Sequence, residues 1–235
     1  MGFKAILFDM DGTLVPLDMD AFMKVYFKEL SAVVAPLGVT FDAFVPAIWA
    51  GTKAMVKNDG TRRNVDVFWD TFCGLTGVER NQAEPLCDGF YTQAFHLCRA
   101  CTQPNPLAAE AVRMAHEKAD KVILATNPLF PMAGQITRMS WVGLKPEDFD
   151  LVTGYESDSF CKPNPAYYAS ICERLGVSPE RCLMIGNDER EDMHAASALG
   201  METWLTTDCR IPCPEKPWTG AQSTFAQMVE KLRAL

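Results

Sequence analysis

The stretch KAILFDMDGTLV sets an apolar run, Lys4 to Phe8, directly before two carboxylates, Asp9 and Asp11, with Gly12 and Thr13 close behind. Two acids one residue apart can hold a cation, attack an electrophile or move a proton. The same letters also spell an ordinary turn, since Asp-Gly is a common turn signal. What lifts the pair above a turn is its company. Polar or charged residues follow three further apolar runs: Thr126 and Asn127 after KVILA (121–125), Lys162 beyond FDLVT (149–153), and Asn187, Asp188 and Asp192 after CLMIG (182–186). Ligands of open α/β sheets bind beyond the carboxyl ends of the strands, so these four ends would meet at one place.

These runs, together with ETWLT (202–206), are strand-length, and several are apolar throughout, as strands covered on both faces are. Helical patterns separate the last four. They cover 106–119, then 164–176 with Pro165 near its start and Gly176 at its stop, then 189–200 closing on Gly200. The alternation predicts an α/β fold, a doubly wound and mostly parallel Rossmann-like sheet. Residues 16–104 read differently. Phe22, Val25, Tyr26, Leu30 and Val33 follow a helical period, and three more helical stretches follow, the last with a possible break at Pro85. Two units are therefore expected: an α/β core from residues 1–15 and 105–235, and a helical insert from residues 16–104. The tail STFAQMVEKLRAL reads as a closing helix capped by Ser223 or Thr224.

The chain has 235 residues, 48% of them hydrophobic, which is enough for a sizeable core. Thirty acidic residues against 22 basic ones give a net charge of -8, and no basic run stands out, which argues against nucleic acid as a partner. No apolar stretch approaches the roughly 20 residues of a membrane-spanning helix. The first residues lack the charged start and apolar run of a signal peptide. A cytoplasmic protein with no membrane partner is expected, as a monomer or homodimer. Nine cysteines without a secretion signal are expected to be reduced thiols. The pairs Cys98/Cys101 and Cys209/Cys213 do not match a zinc ribbon and read as small buried apolar side chains.

Taken together, DMDGT, ILATN, CKPNPAYY and MIGNDEREDM resemble, in order and spacing, the four motifs of the haloacid dehalogenase-like (HAD) phosphatase superfamily. The helical insert sits where that family places its C1 cap. The resemblance implies a Mg²⁺-dependent phosphatase acting through an aspartyl phosphate. Its chemistry has a physical logic. Phosphate monoesters hydrolyse extremely slowly unaided, and a carboxylate nucleophile divides the transfer into two easier steps. Carboxylate and phosphate repel each other, so a divalent cation and a lysine must stand between them. On this reading Asp9 is the nucleophile and gives an oxygen to Mg²⁺. Asp11 is the acid/base, its backbone carbonyl a metal ligand. Gly12 lets the chain turn. Thr126 and the Asn127 N–H hold phosphoryl oxygens, Lys162 neutralises charge, and Asp188 and Asp192 complete the metal site. Aligning on Gly186 instead puts Asn187 in the ligand position, so both Asn187 and Asp188 stand as candidates.

The substrate expected is a small phosphorylated metabolite. Arg62 and Arg63, in the one Gly-containing basic loop of the insert, are candidates to read it, although a solvated loop is the simpler account of them. The aromatic side chains Phe22, Tyr26, Phe68 and Trp69 read as the insert's own core rather than as a stacking platform. The same residues suit a phosphosugar mutase. A haloacid dehalogenase would not need Asp11. A non-enzymatic, phosphorylatable cation-binding module would not need a large cap.

Overall fold

The computed structural model describes residues 2–234. Six strands form one parallel sheet: β1 (Phe3–Phe8), β2 (Ala119–Leu124), β3 (Leu151–Val152), β4 (Cys182–Gly186), β5 (Glu202–Thr206) and β6 (Gln222–Ser223), in the order β3-β2-β1-β4-β5-β6. The expected doubly wound α/β architecture is present. β1 is central, and its register decides where the site lies. Phe8 stands opposite Leu124 on one side and Ile185 on the other. The strands therefore end within a residue of each other, and Asp9, Ala125 and Asn187 leave the sheet along the same edge. The Asp9 N–H donates to Ile185 O at 2.9 Å, and the Ala125 N–H to Phe8 O at 2.7 Å, which extends the ladder to the first residue of the site.

Alternation along β1 feeds two cores. Ala5 and Leu7 point to one face, with Ile123, Met184 and Leu205, against Tyr167, Tyr168 and Ile171 of helix α7 (Pro165–Leu175). Ile6 and Phe8 point to the other. There they join Val122, Leu124 and Ile185 in the cluster formed with α5 (Ala108–Lys118) and α9 (Phe225–Ala234).

Between β1 and α5 the chain is helical: α1 (Met19–Val34), α2 (Phe41–Val56), α3 (Asn64–Thr76), α4 (Arg80–Thr92), then a 3-10 stretch, Ala94–Cys101. The helix α4 runs through Pro85, as α2 runs through Pro46. An aromatic cluster ties this segment to helix α6 (Met132–Trp141) and the loop before it. Phe95, fully buried, has ring contacts with Phe22 at 5.9 Å, Phe90 at 5.6 Å, Tyr91 at 5.2 Å and Trp141 at 5.7 Å. The Tyr26 and Tyr91 hydroxyls bond each other at 2.6 Å, so each of these buried oxygens has a hydrogen-bond partner.

Two details differ from the sequence reading, and a third decides between the two caps it offered. A sixth strand, β6, pairs with β5, but two polar residues are too few to show a strand pattern. Ser223 lies in that strand, so the cap of α9 falls to Thr224, whose hydroxyl accepts from the Gln227 N–H at 3.3 Å. The segment after β4 is not a plain α-helix. Glu189–His194 is a π-helical turn, in which both Asp192 N and Met193 N donate to Asp188 O, followed by a short α-helix α8 (Ala195–Ser197). All nine cysteines are free. No single helix among the described residues is long and apolar enough to cross a membrane.

Phe95→Ala would empty the centre of the aromatic cluster. Truncations of this kind cost about 3–5 kcal/mol. Urea titration followed by tryptophan fluorescence should show a fall of that size. A loss under about 1 kcal/mol would mean that the cluster does not hold the helical segment to the sheet.

Candidate active site

Asp9 is the first residue past β1, and burial dominates its chemistry. Its carboxyl is pushed up to about 8, chiefly by desolvation. The Lys162 ammonium opposes that rise and the Asp192 carboxylate adds to it. Lys162 is 1% exposed, with Nζ 2.8 Å from Asp9 Oδ1 and 2.6 Å from Asp192 Oδ1. Burial alone would strip its proton. The Asp192 and Asp9 carboxylates outweigh that effect and hold it charged, well above the usual amine range.

Asp192 reaches Lys162 because of the π turn. Its other oxygen, Oδ2, accepts the N–H groups of Asn187 and Asp188, both at 3.0 Å. Gly186 makes this possible: a Cβ there would lie 2.2 Å from Asp192 Oδ2. Expected among the metal ligands, Asp192 thus has both oxygens engaged by the protein. Asp188 caps the same turn, its Oδ1 accepting from Arg190 N and Glu191 N, each at 2.8 Å, while no described residue bonds its Oδ2.

Asn187 and Gly12 interlock. Gly12 has φ +86°, and a Cβ on it would stand 2.2 Å from Asn187 Nδ2, so glycine is required there twice over. The Asn187 amide nitrogen donates to Cys209 O at 2.6 Å. Its oxygen lies 3.2 Å from the buried Thr13 hydroxyl, which also lies 3.1 Å from Asp9 Oδ2, so the two acceptors share one donor proton. Asn127 joins the second and third strand ends. Its amide donates to Glu191 Oε2 at 2.9 Å, and its oxygen accepts the Lys162 N–H at 3.2 Å. Thr126 is fixed through its backbone carbonyl, which accepts from the Thr153 and Tyr167 hydroxyls at 2.7 Å and 2.8 Å. Its own hydroxyl side chain lines the cavity.

Two residues of the site were not singled out in the sequence. Arg138, on α6 and 1% exposed, pairs with Asp11 Oδ2 and with Gln135 Oε1, and its guanidinium lies 4.2 Å from the Phe130 ring centroid. Asp11 Oδ1 is buried and has no hydrogen-bond partner among the described residues. Arg138 therefore holds one oxygen of Asp11 and leaves the other unengaged beside the cavity. Glu191 is the second. Burial pushes its carboxyl up to about 7, with Lys162 opposing and Asp188 and Asp192 adding. A charged residue on the α6 face shared by Gly134, Gln135 and Trp141 is a visible signal for Arg138; Glu191 lies in a run of acids where periodicity gives none.

A cavity of about 290 Å³ opens above these groups, lined by Asp9, Asp11, Thr126, Asn127, Asn187, Asp188, Glu191 and Asp192 on one side and by the helical segment on the other. Phe22, Tyr26, Phe68 and Trp69 line it too, so they form both core and wall. Arg62 and Arg63 do not reach it: Arg62 pairs with Asp70 at 2.7 Å on the surface, and Arg63 donates to Ser157 O.

The match to a family model, haloacid dehalogenase-like hydrolase, covers residues 3–200. The chain belongs to that family. Among curated relatives, it is 25% identical to a glyceraldehyde 3-phosphate phosphatase of Methanothermobacter thermautotrophicus, over 86% of this chain and 84% of that protein. It is 26% identical to a phosphoglycolate phosphatase of Vibrio vulnificus, over 87% and 83%. The solved structure of the putative HAD-hydrolase YfnB from Bacillus subtilis, bound to magnesium, superposes with a TM-score of 0.60 at 18% identity, covering 99% and 100% of the two chains. That last likeness is one of fold alone.

Among the described residues no three His, Cys, Asp or Glu side chains are arranged to enclose a metal ion. Mg²⁺ does not need such a cage. It takes one or two carboxylates, waters and phosphate oxygens. The donor set here is of that kind: hard oxygens only, with an excess of carboxylates over the one buried ammonium. The unpartnered buried oxygen of Asp11 belongs to the same wall.

Removing Arg138 would leave Asp11 without its partner at a site where that side chain is only 18% exposed. Arg138→Met should destabilise by about 3–5 kcal/mol. In an Asp11→Asn background the same change should cost much less. Urea titrations of the two single variants and the double variant give the coupling. A coupling near zero would mean that the pair does not hold Asp11.

Proposed function

We propose that this HAD-family protein is a Mg²⁺-dependent phosphatase that hydrolyses a phosphate monoester through an aspartyl phosphate on Asp9. The observation that carries this reading is the buried Lys162 ammonium shared by Asp9 and Asp192, set where three strand ends and a cavity converge. The curated phosphatase relatives support the reaction class, and the magnesium in the YfnB structure supports the cation.

In this reading the substrate's phosphorus meets an Asp9 carboxylate oxygen in line with the leaving oxygen. Thr126 and the Asn127 N–H hold the equatorial oxygens. Lys162 offsets charge as it gathers on the phosphoryl group, from a site that needs no rearrangement to do so. Asp11, its second oxygen fixed by Arg138, gives a proton to the departing alkoxide through Oδ1, then takes one from the water that cleaves the acyl phosphate. Asp9, Asp11 and Asp188, with Asn187 as the alternative to Asp188, would hold Mg²⁺, which when bound supplies the positive charge that lets carboxylate and phosphate approach. Asp192 acts through Lys162 and the loop. The unit of residues 16–104 is proposed as a C1-type cap, closing over the core of residues 1–15 and 105–235 to exclude water during the first transfer.

Asp9→Asn should lower Mg²⁺-dependent phosphate release to background while circular dichroism and the melting temperature stay near those of the parent. Chelator should abolish the parent activity, and Mg²⁺ should restore it. Asp11→Asn should slow esters of poor leaving groups by at least about a hundredfold, and those of good leaving groups far less. Retained turnover in Asp9→Asn would overturn the nucleophile assignment.

A further inference from the structure

The two sides of the cavity differ in kind. The floor is crowded with acids. Among the described residues, no lysine, arginine or histidine lines any part of the cavity. The roof, from α1, α2, α3 and α4, is built of aliphatic and aromatic side chains, with Phe22, Phe27, Trp69 and Phe72 among them. Its polar atoms are few: Thr52, the Tyr26 and Tyr91 hydroxyls, which bond each other and leave one proton over, and the buried Trp69 Nε1–H, which has no partner among the described residues. The apolar character continues to the mouth. Met19 is 43% exposed, Trp49 51% and Ile211 43%, and all three line the opening. Large apolar side chains left in water around a cavity mark a surface that an apolar ligand covers.

This lining discriminates between organic groups. A carboxylate or polyhydroxylated leaving group would lose its hydration against a wall with no cation and few free donors. A carboxylate would also add a second anion above a floor already rich in them. A ring or branched alkyl group would gain from the same burial, and rings would pack edge-on against the aromatic roof. We infer that the substrate is the phosphate monoester of an apolar, ring-bearing alcohol, rather than a phosphorylated carboxylic acid or sugar. The inference rests on the phosphatase reading above and departs from the glyceraldehyde 3-phosphate and phosphoglycolate in the names of the two relatives reported above.

The test compares primary alkyl phosphates, whose leaving groups differ little in reactivity: benzyl phosphate, phosphoglycolate and glycerol 3-phosphate, with acetyl phosphate as a small activated control, all with the full chain and Mg²⁺. For benzyl phosphate kcat/KM should exceed the other two esters by about ten- to a hundredfold, chiefly through KM, the scale of burying one ring. Trp49→Lys, at the exposed mouth, should narrow that ratio by weakening benzyl phosphate and improving phosphoglycolate. Equal or faster turnover of phosphoglycolate or glycerol 3-phosphate would overturn the inference and leave the phosphatase reading standing. So would a ratio unchanged by Trp49→Lys. Phosphate release from none of the four compounds would overturn the phosphatase reading, and the inference with it.

Discussion

The Lys162 ammonium sits buried between Asp9 and Asp192, at 2.8 Å and 2.6 Å, and the rest of the floor is arranged around that triplet. None of the three is tolerable alone at such depth. A lone buried lysine would give up its proton, and a lone buried carboxylate would take one. With Asp9 ionised the three carry a net negative charge, and Asp188 and Glu191 lie along the same wall. A floor of this sign repels a phosphate by itself. It becomes a phosphate site only when a cation balances it, which is why the proposal couples Mg²⁺ and substrate rather than treating them separately.

Backbone geometry makes the triplet possible. The parallel register ends β1, β2 and β4 within a residue of each other, so three loops start from one edge. The π turn then folds Asp192 back over the N–H groups of Asn187 and Asp188, and the bare Cα of Gly186 leaves room for its carboxylate. Gly12 does the same for Asn187 on the neighbouring loop. Through Thr13, Asn187 and Asp9 the two loops share hydrogen bonds, and a shift in either would be felt at the Asp9 carboxylate.

Much of this was legible in the sequence because it is local. Apolar runs followed by polar residues marked the strands and their ends, and Pro165 with Gly176 bounded α7 to within a residue. What escaped was non-local or lacked a period. β6 is two polar residues held by a neighbour. The π turn differs from an α-helix only in which carbonyl each N–H reaches, and composition does not record that. Arg138 meets Asp11 across 127 positions of chain, so nothing near either residue announces the pair. The aromatic side chains of the helical segment posed a different difficulty. Helical period identifies a buried face, but a face that packs on its neighbours and one that also walls a cavity have the same period. Phe22 and Tyr26 do both.

That double duty bears on how the proposed reaction would be made selective. Every phosphate monoester presents the same phosphoryl group to the floor, so Asp9, Lys162 and Thr126 have little basis for telling one ester from another. Selection has to come from the organic group, and most of the apolar surface available to it among the described residues is the roof. Contacts there lie away from the reacting atoms, yet they contribute to rate if they are made fully only when the helical segment lies over the floor. An apolar roof supplies such contacts without charge, and so without adding to or screening the electrostatics below. Charge for the chemistry and apolar area for recognition are thus kept on separate elements, which lets the helical segment vary its lining while the strand ends stay as they are.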